Sequence, residues 1–265
     1  MPTPERFNTV IQQTDIKYFK YFESVGSTNQ IALEWLEESA PDGAIVFADH
    51  QSSGRGRFNR HWVTQPMSSI ALSILIHPTR QEQEKISFFS PLAAVALTNV
   101  LEKELEINAE IKWPNDVLIQ KKKTSGILTE SIWKGEQLLG IVVGIGINVF
   151  ASSIPPEKEL NFPATYLQAN TTHAIDRYDL LAQFINTFNF WRPKMLSAEF
   201  LNYWTNRLAF RGEKVYIKQK DGNIKLSGEL VGIAENGDLK ILSENNQIHS
   251  ITAGDVHLRP VDQEN

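Results

Sequence analysis

The chain has 265 residues, 42% hydrophobic and 22% charged, with 26 Lys and Arg against 31 Asp and Glu for a formal net charge of −5. That length and balance fit a globular protein with a substantial core, as one large domain or a large one with a small companion, and the mild acidity opposes nonspecific affinity for nucleic acid. The absence of cysteine excludes disulfides, thiolate zinc sites and a cysteine nucleophile.

Met1 to Gln13 is polar, and nowhere do about 18 apolar residues run together, so no signal peptide or membrane span is expected and a cytoplasmic setting is read. Ile16 to Ser24 reads as a first strand. Ser27-Thr28-Asn29-Gln30 has the form of a capping box, with a helix following to about Ser39 on the apolar pairs Ile31/Trp35 and Ala32/Leu36. Ala44 to Ala48 and Ser69 to Ile76 read as buried strands, and Ser90-Pro91 as the start of a helix with proline in its first turn. Ala109 to Trp113, Val117 to Gln120, Thr124 to Trp133 and Gln137 to Val149 form a β meander, the last two joined at Lys134-Gly135. Ala151 to Pro163, with three prolines, reads as coil. Two helices are expected next, at about Asp176 to Phe190 and Pro193 to Leu208. Leu180, Leu181, Phe184, Ile185 and Phe188 are the core stripe of the first.

From Arg211 short alternating segments are separated by turn signals at Asp221-Gly222-Asn223, Glu235-Asn236-Gly237-Asp238 and Glu244-Asn245-Asn246. This predicts a larger domain over 1–210 and a small β-barrel over 211–265.

The run GRGRFNRHW, Gly54 to Trp62, sets Arg55, Arg57, Arg60 and His61 around two glycines with no acid among them. Glycines let backbone approach a ligand, guanidinium groups match carboxylate and phosphate, and the closing tryptophan can stack on a base. In Lys112-Trp113-Pro114-Asn115-Asp116 the proline forces an irregular corner presenting an amide and a carboxylate beside a lysine. Of Lys121, Lys122 and Lys123, the last is nearest the following strand and Gly126, hence best placed to enter a site. Gly144-Ile145-Gly146-Ile147-Asn148 lacks the third glycine of a dinucleotide fingerprint, and its glycines mark a place where something packs on the strand backbone. The six histidines show no metal-ligand spacing.

Taken in order, S-T-N, Q-x-x-G-R-G-R-x-x-R-x-W, K-W-P-N-D, K-x-S-G-I-L and G-I-G-I-N resemble the biotin protein ligases (biotin–acetyl-CoA-carboxylase ligases) from roughly Tyr21 to Pro260. The resemblance implies an α/β (α+β) fold, a mixed-sheet catalytic domain followed by an SH3-like barrel. It implies two steps: biotin is activated by ATP as biotinyl-5′-AMP, then transferred to a lysine of a biotin carboxyl carrier protein. Ser27, Thr28, Asn29 and Gln51 are matched to the ureido ring. Gly54, Arg55, Gly56 and Arg57 wrap the tail and carboxylate beside Gly126. Lys123 and Arg57 carry the chemistry. Arg60, Trp62, Asn115, Asp116, Asn148 and Arg259 join Arg57 and Lys123 on the ATP side, with Asp116 facing Mg2+ through the nucleotide. Two anions about 4 Å apart repel by about 4 kcal/mol at an effective dielectric near 20, which the cations offset.

About twenty residues precede the first motif, too few for the winged helix-turn-helix of the family's repressors, so a ligase without DNA-binding or membrane partners is expected. Its oligomeric state, a homodimer included, is left open. Asn59 stands where the family's loop usually has a third glycine; asparagine tolerates a left-handed backbone best among non-glycine residues. The competing readings are a lipoate ligase or octanoyltransferase of the same superfamily and, from another class, a nucleic-acid-binding module.

Overall fold

The computed structural model describes residues 4–160, 162–219, 224–252 and 256–260, leaving aside the side chains at 59, 219, 225 and 256–260. Its elements begin with α1 (Glu5–Ile11), β1 (Phe19–Phe22), α2 (Thr28–Glu37), β2 (Ile45–Ala48), the short β3 (Gly54–Arg55) and β4 (His61–Trp62), and β5 (Ser69–Ile76). Next come α3 (Arg80–Gln83), α4 (Phe89–Leu105), β6 (Glu110–Lys112), β7 (Asp116–Ile119), β8 (Lys122–Lys134) and β9 (Gln137–Asn148). Then follow α5 (Arg177–Trp191), α6 (Ala198–Asn206), β10 (Lys214–Gln219), β11 (Ile224–Ile233), β12 (Leu239–Leu242), β13 (Ile248–Ile251) and β14 (Val256–Pro260).

Seven strands form one sheet in the order β1-β2-β5-β9-β8-β7-β6, parallel only between β1 and β2. Every residue of β5 is buried, because the sheet is covered on both faces. Side chains alternate across a strand. Ile70, Leu72, Ile74 and Ile76 therefore join the main core with α4 and α5, and Leu75 joins Ala32 and Leu36 of α2 on the other side. The same period sends Ile141, Val143, Ile145 and Ile147 of β9 into the main core and leaves Gly144 and Gly146 on the α2 face. That face holds the site.

The second sheet is antiparallel, in the order β13-β12-β11-β10-β14, and is the C-terminal β domain expected from the sequence. Its Glu235-to-Asp238 turn joins β11 to β12 with Gly237 at φ 85°, and Asn246 at φ 59° turns β12 into β13. The Asp221-Gly222-Asn223 turn lies outside the described residues. Among the described residues no helix is long and apolar enough to cross a membrane.

Several local expectations change. Ser27 is the N-cap of α2 but makes no side-chain capping bond, and Gln30 turns to Glu34 instead. The open N–H of Thr28 is taken by Gln51 Oε1 at 2.7 Å, so a loop side chain caps the helix. A capping box does form at Thr79 and Glu82, at the head of α3. The helix expected from Ser90 begins earlier, running on from a 3-10 turn at Ile86–Phe88, with Pro91 third in α4. The helix expected from Pro193 splits into a 3-10 turn and a shorter α6 capped by Ser197. The polar N-terminus contains α1, which buries Phe7, Val10 and Ile11 at helical spacing.

Candidate active site

A cavity of about 490 Å³ opens on the α2 face. Its floor is made where Gly126 of β8 pairs with Gly146 of β9, next to the Leu128–Gly144 pair. With no side chains there, the sheet has a trough into which the Trp62 indole drops. A Cβ on Gly146 would lie 2.3 Å from that ring, and one on Gly126 3.1 Å. These glycines thus mark close packing, as expected.

One end of the cavity is neutral and polar. Thr28 donates through its amide and its hydroxyl to Gln51 Oε1, at 2.7 and 3.0 Å, and Ser73 Oγ lies 2.9 Å from Thr28 Oγ1. Asn29 Oδ1 accepts from Ser73 at 2.6 Å, and Asn29 Nδ2 donates to Glu130 at 2.8 Å. Ser27 stands beside them, buried, at the head of α2.

The other end is cationic. The Trp113–Pro114 peptide is cis and turns β6 into β7, so that Asn115 and Asp116 emerge toward the cavity. Asn115 is held at both ends, its amide donating to the Ile127 carbonyl at 2.8 Å and its oxygen accepting from Arg57 at 3.2 Å. Lys123 Nζ lies 2.6 Å from Asp116 Oδ1 and 5.5 Å from the Trp62 ring centre. Burial alone would push the Asp116 carboxyl up, but Lys123, Lys112 and Arg57 outweigh it and hold Asp116 below the usual carboxylate range. One carboxylate thus faces three cations. Such a site is ready for anions. Lys121 instead reaches Glu213 at 2.8 Å, and Lys122 is exposed, so only the third lysine of the triplet enters the cavity.

Of the residues singled out from sequence, the cavity gathers Ser27, Thr28, Asn29, Gln51, Arg55, Gly56, Arg57, Arg60, Trp62, Asn115, Asp116, Lys123, Gly126 and Asn148. Gly54 lies one step behind, paired with Trp62 between β3 and β4, where a Cβ would meet the Trp62 carbonyl oxygen at 2.3 Å. Arg259 pairs by its backbone with Tyr216 in the C-terminal sheet, and its side chain lies outside the described residues. Among the described residues no three His, Cys, Asp or Glu converge to hold a metal ion, at Asp116 or elsewhere. The left-handed residue of the arginine loop is Phe58, at φ 58°, one position before Asn59.

Phe162 of the wall, and Ser73 and Glu130 hydrogen-bonded just behind it, were not singled out. Ser73 and Glu130 look like ordinary strand residues until α2 is laid over them. Lys112 is buried, with its ammonium 3.9 Å from the centre of the Phe162 ring. Phe162 comes from the proline-rich segment expected to be coil. That segment adds a strand-like bridge at Lys123: the Lys123 amide donates to the Pro163 carbonyl at 2.7 Å, and the Thr165 amide to the Lys123 carbonyl at 2.9 Å. Its prolines were the available signal.

Residues 21–148, which carry most of this cavity, match the Biotin/lipoate A/B protein ligase family, and residues 211–259 match the Biotin protein ligase C terminal domain. The chain is 32% identical over 241 residues to the bifunctional ligase/repressor BirA of Bacillus subtilis, covering 90% of this chain and 73% of that one. It is 32% identical over 224 residues to the biotin–acetyl-CoA-carboxylase ligase of Paracoccus denitrificans, covering 80% and 89%. Among solved structures it resembles the biotin protein ligase of Aquifex aeolicus in complex with biotin and ATP, with a TM-score of 0.78 and 30% identity over 92% of this chain and 100% of that one. The chain belongs to the biotin protein ligase family.

Proposed function

We propose that this enzyme activates biotin with ATP and passes the biotinyl group to a lysine of a biotin carboxyl carrier protein, residues 1–210 being the catalytic domain and 211–265 the barrel. The observation that carries the reading is the polarity of the cavity, neutral hydrogen-bonding groups at the α2 end and surplus positive charge at the Lys123 end. A molecule with an uncharged polar ring, an apolar tail and a terminal carboxylate fits that gradient, with a polyphosphate beyond it. The structure in complex with biotin and ATP from Aquifex aeolicus supports both substrates. The Helicobacter pylori synthetase with bound biotinylated ATP, 18% identical, shares the fold.

In the first step a biotin carboxylate oxygen attacks the α-phosphorus, the bond to the β-phosphate oxygen breaks, and pyrophosphate leaves with its electron pair. Lys123 sits where it can bridge the two anions, and Arg57 and Lys112 add charge that need not reorganise during reaction. In the second step a carrier lysine amine attacks the acyl carbon, the acyl–phosphate bond breaks, AMP leaves, and the amine proton is released. No covalent bond to the enzyme is needed. The residues fit Mg2+ as a nucleotide-borne ion: Asp116 offers an oxygen donor, and the remaining ligands would come from phosphates and water. There the ion would neutralise phosphate charge. The macromolecular partner in this reading is a carrier domain rather than DNA or a membrane, in the cytoplasm.

The test is pyrophosphate release from ATP and Mg2+ with biotin, lipoate or octanoate, followed by addition of a biotin carboxyl carrier domain. Release only with biotin, then a biotin mass increment on one carrier lysine, is expected. Release driven by lipoate or octanoate and not by biotin overturns the reading.

A further inference from the structure

The polar end of the cavity is backed by a run of adjoining polar side chains with a charged terminus. Ser73 donates to Asn29 and lies 2.9 Å from the hydroxyl of Thr28, itself bonded to Gln51; Asn29 donates to Glu130, and the run ends on Arg55, whose guanidinium donates to both Glu130 oxygens at 2.5 Å. Gln51 and Arg55 come from the arginine-loop segment, Thr28 and Asn29 from α2, Ser73 from β5 and Glu130 from β8. Of these six side chains Glu130 alone bears a negative charge. It is also the group that ties α2 to the arginine loop.

An ionised carboxylate only accepts hydrogen bonds, so the amide turned toward it must present its NH2. Glu130 therefore fixes Asn29 with Nδ2 toward the carboxylate and the Leu128 carbonyl, at 2.8 and 3.3 Å, and Oδ1 toward Ser73. The opposite orientation would set Asn29 Oδ1 against Glu130 with no proton between them. The amide packs closely on Gly144, where a Cβ would come within 2.0 Å of Oδ1. At its far end Glu130 holds Arg55, one of the cations matched to the acid substrate.

We infer that Glu130 is a positioning residue for the acid substrate. It sets the donor–acceptor polarity of the Asn29 amide and restrains Arg55 at the mouth of the ring-binding end. This inference rests on the biotin-ligase reading above. Replacing Glu130 loosens the acid end of the cavity and leaves the Lys123–Asp116 end intact. The effect belongs on acid recognition, not on the chemical step.

The experiment measures steady-state adenylation by Glu130→Ala, Glu130→Gln and Ser73→Ala, with whichever acid the wild-type protein consumes. Failure of the biotin reading then shows in the wild type, and failure of this inference in the variants. Glu130→Ala should raise KM for the acid by about tenfold or more, as expected for a lost charged hydrogen bond, with kcat and KM for ATP nearly unchanged. Glu130→Gln should fall between, since it can still accept from Asn29 but carries no charge for Arg55. Ser73→Ala, which removes the other anchor of the same amide, should reproduce the KM effect and covers the case in which Glu130→Ala does not fold. A folded Glu130→Ala with unchanged acid KM overturns the inference. So does a loss confined to kcat, which would put Glu130 in the chemistry, or equal rises in both KM values, which would make its role general packing. If the wild-type protein turns over no acid, the reading and the inference fall together.

Discussion

Lys123 is the residue on which the charge balance of the site turns. It is the nearest cation to Asp116 and, at 27% side-chain exposure, is open enough to exchange that partner for substrate. In Lys123→Gln length and some hydrogen bonding remain, but the charge between two anions is gone. Biotin-dependent pyrophosphate release should fall by about a hundredfold or more, the usual scale for one lost electrostatic contact in a transition state. The melting temperature should change little. Near-normal release by a folded variant would transfer the role to Lys112. The variant also leaves the half-buried Asp116 with one cation fewer, so its carboxyl should move back up, and a rise in its pKa by NMR reports the change without reference to turnover. A second test concerns a residue with no side chain. In Gly144→Ala the added methyl would sit 2.0 Å from Asn29 Oδ1, forcing the amide to move. Weaker acid binding with ATP use unchanged is expected, and unaltered acid KM would show that the amide has room to shift. Lys123, Asn115, Asp116 and the strand glycines were legible as sequence because each sits in a short run whose chemistry is local. Ser73 and Glu130 were not, because their contacts with Asn29 exist only once β5, β8 and α2 are stacked.

At the scale of elements, what could be read follows the strength of periodicity. β5, β9 and α5 carry unbroken apolar patterns; Ser69 to Ile76 was located without error, and the five-residue stripe of α5 is wholly buried. α1 was missed because a seven-residue helix shows only three apolar positions amid polar ones. The capping box was misplaced because a tertiary partner, Gln51, outcompetes Gln30 for the head of α2. The arginine loop shows the same competition. Its left-handed residue is Phe58, whose ring lies 4.8 Å from the Arg57 guanidinium. Left-handed backbone costs a non-glycine residue roughly 1–2 kcal/mol, more when β-branched. Phe58→Gly and Phe58→Ile both lose the ring, so the difference between them isolates the backbone. The isoleucine variant should use biotin or ATP about tenfold less well than the glycine variant, following that cost. Asn59→Gly should stay close to the parent. Equal KM values for the two Phe58 variants would mean the loop re-forms without the left-handed turn.

At the scale of the whole molecule, the C-terminal sheet is joined to the corner that builds the cationic end of the cavity. Trp113, buried at that corner, donates its indole N–H to the Gly237 carbonyl at 3.2 Å. Gly237 lies in the β11–β12 turn at φ 85°, and a Cβ there would come 2.9 Å from the ring of Phe88, just ahead of α4. On the outside, Lys121 meets Glu213 at 2.8 Å, but that pair is exposed and contributes about 0–1 kcal/mol at most. Of these two contacts the inner one is therefore the stronger tie, and it adds to the core that Leu230, Leu239 and Ile241 share with the first sheet. Gly237→Ala meets two penalties together, a left-handed backbone without glycine and a methyl pressed on an aromatic ring that is itself fully buried. A loss of about 1–3 kcal/mol follows, and for a chain of this size each kcal/mol lowers Tm by about 2–4 °C. Because Trp113 immediately precedes Pro114, Asn115 and Asp116, the displaced turn should also weaken ATP use while leaving the acid-binding end, built by α2, Gln51 and Ser73 with Glu130 of β8, unaffected. Lys121→Ala, by contrast, should leave both Tm and ATP use near the parent. A Gly237→Ala protein with lowered Tm but normal ATP use would show that the C-terminal sheet stabilises the corner without shaping it, and an unchanged Tm would mean the turn slides free of Phe88.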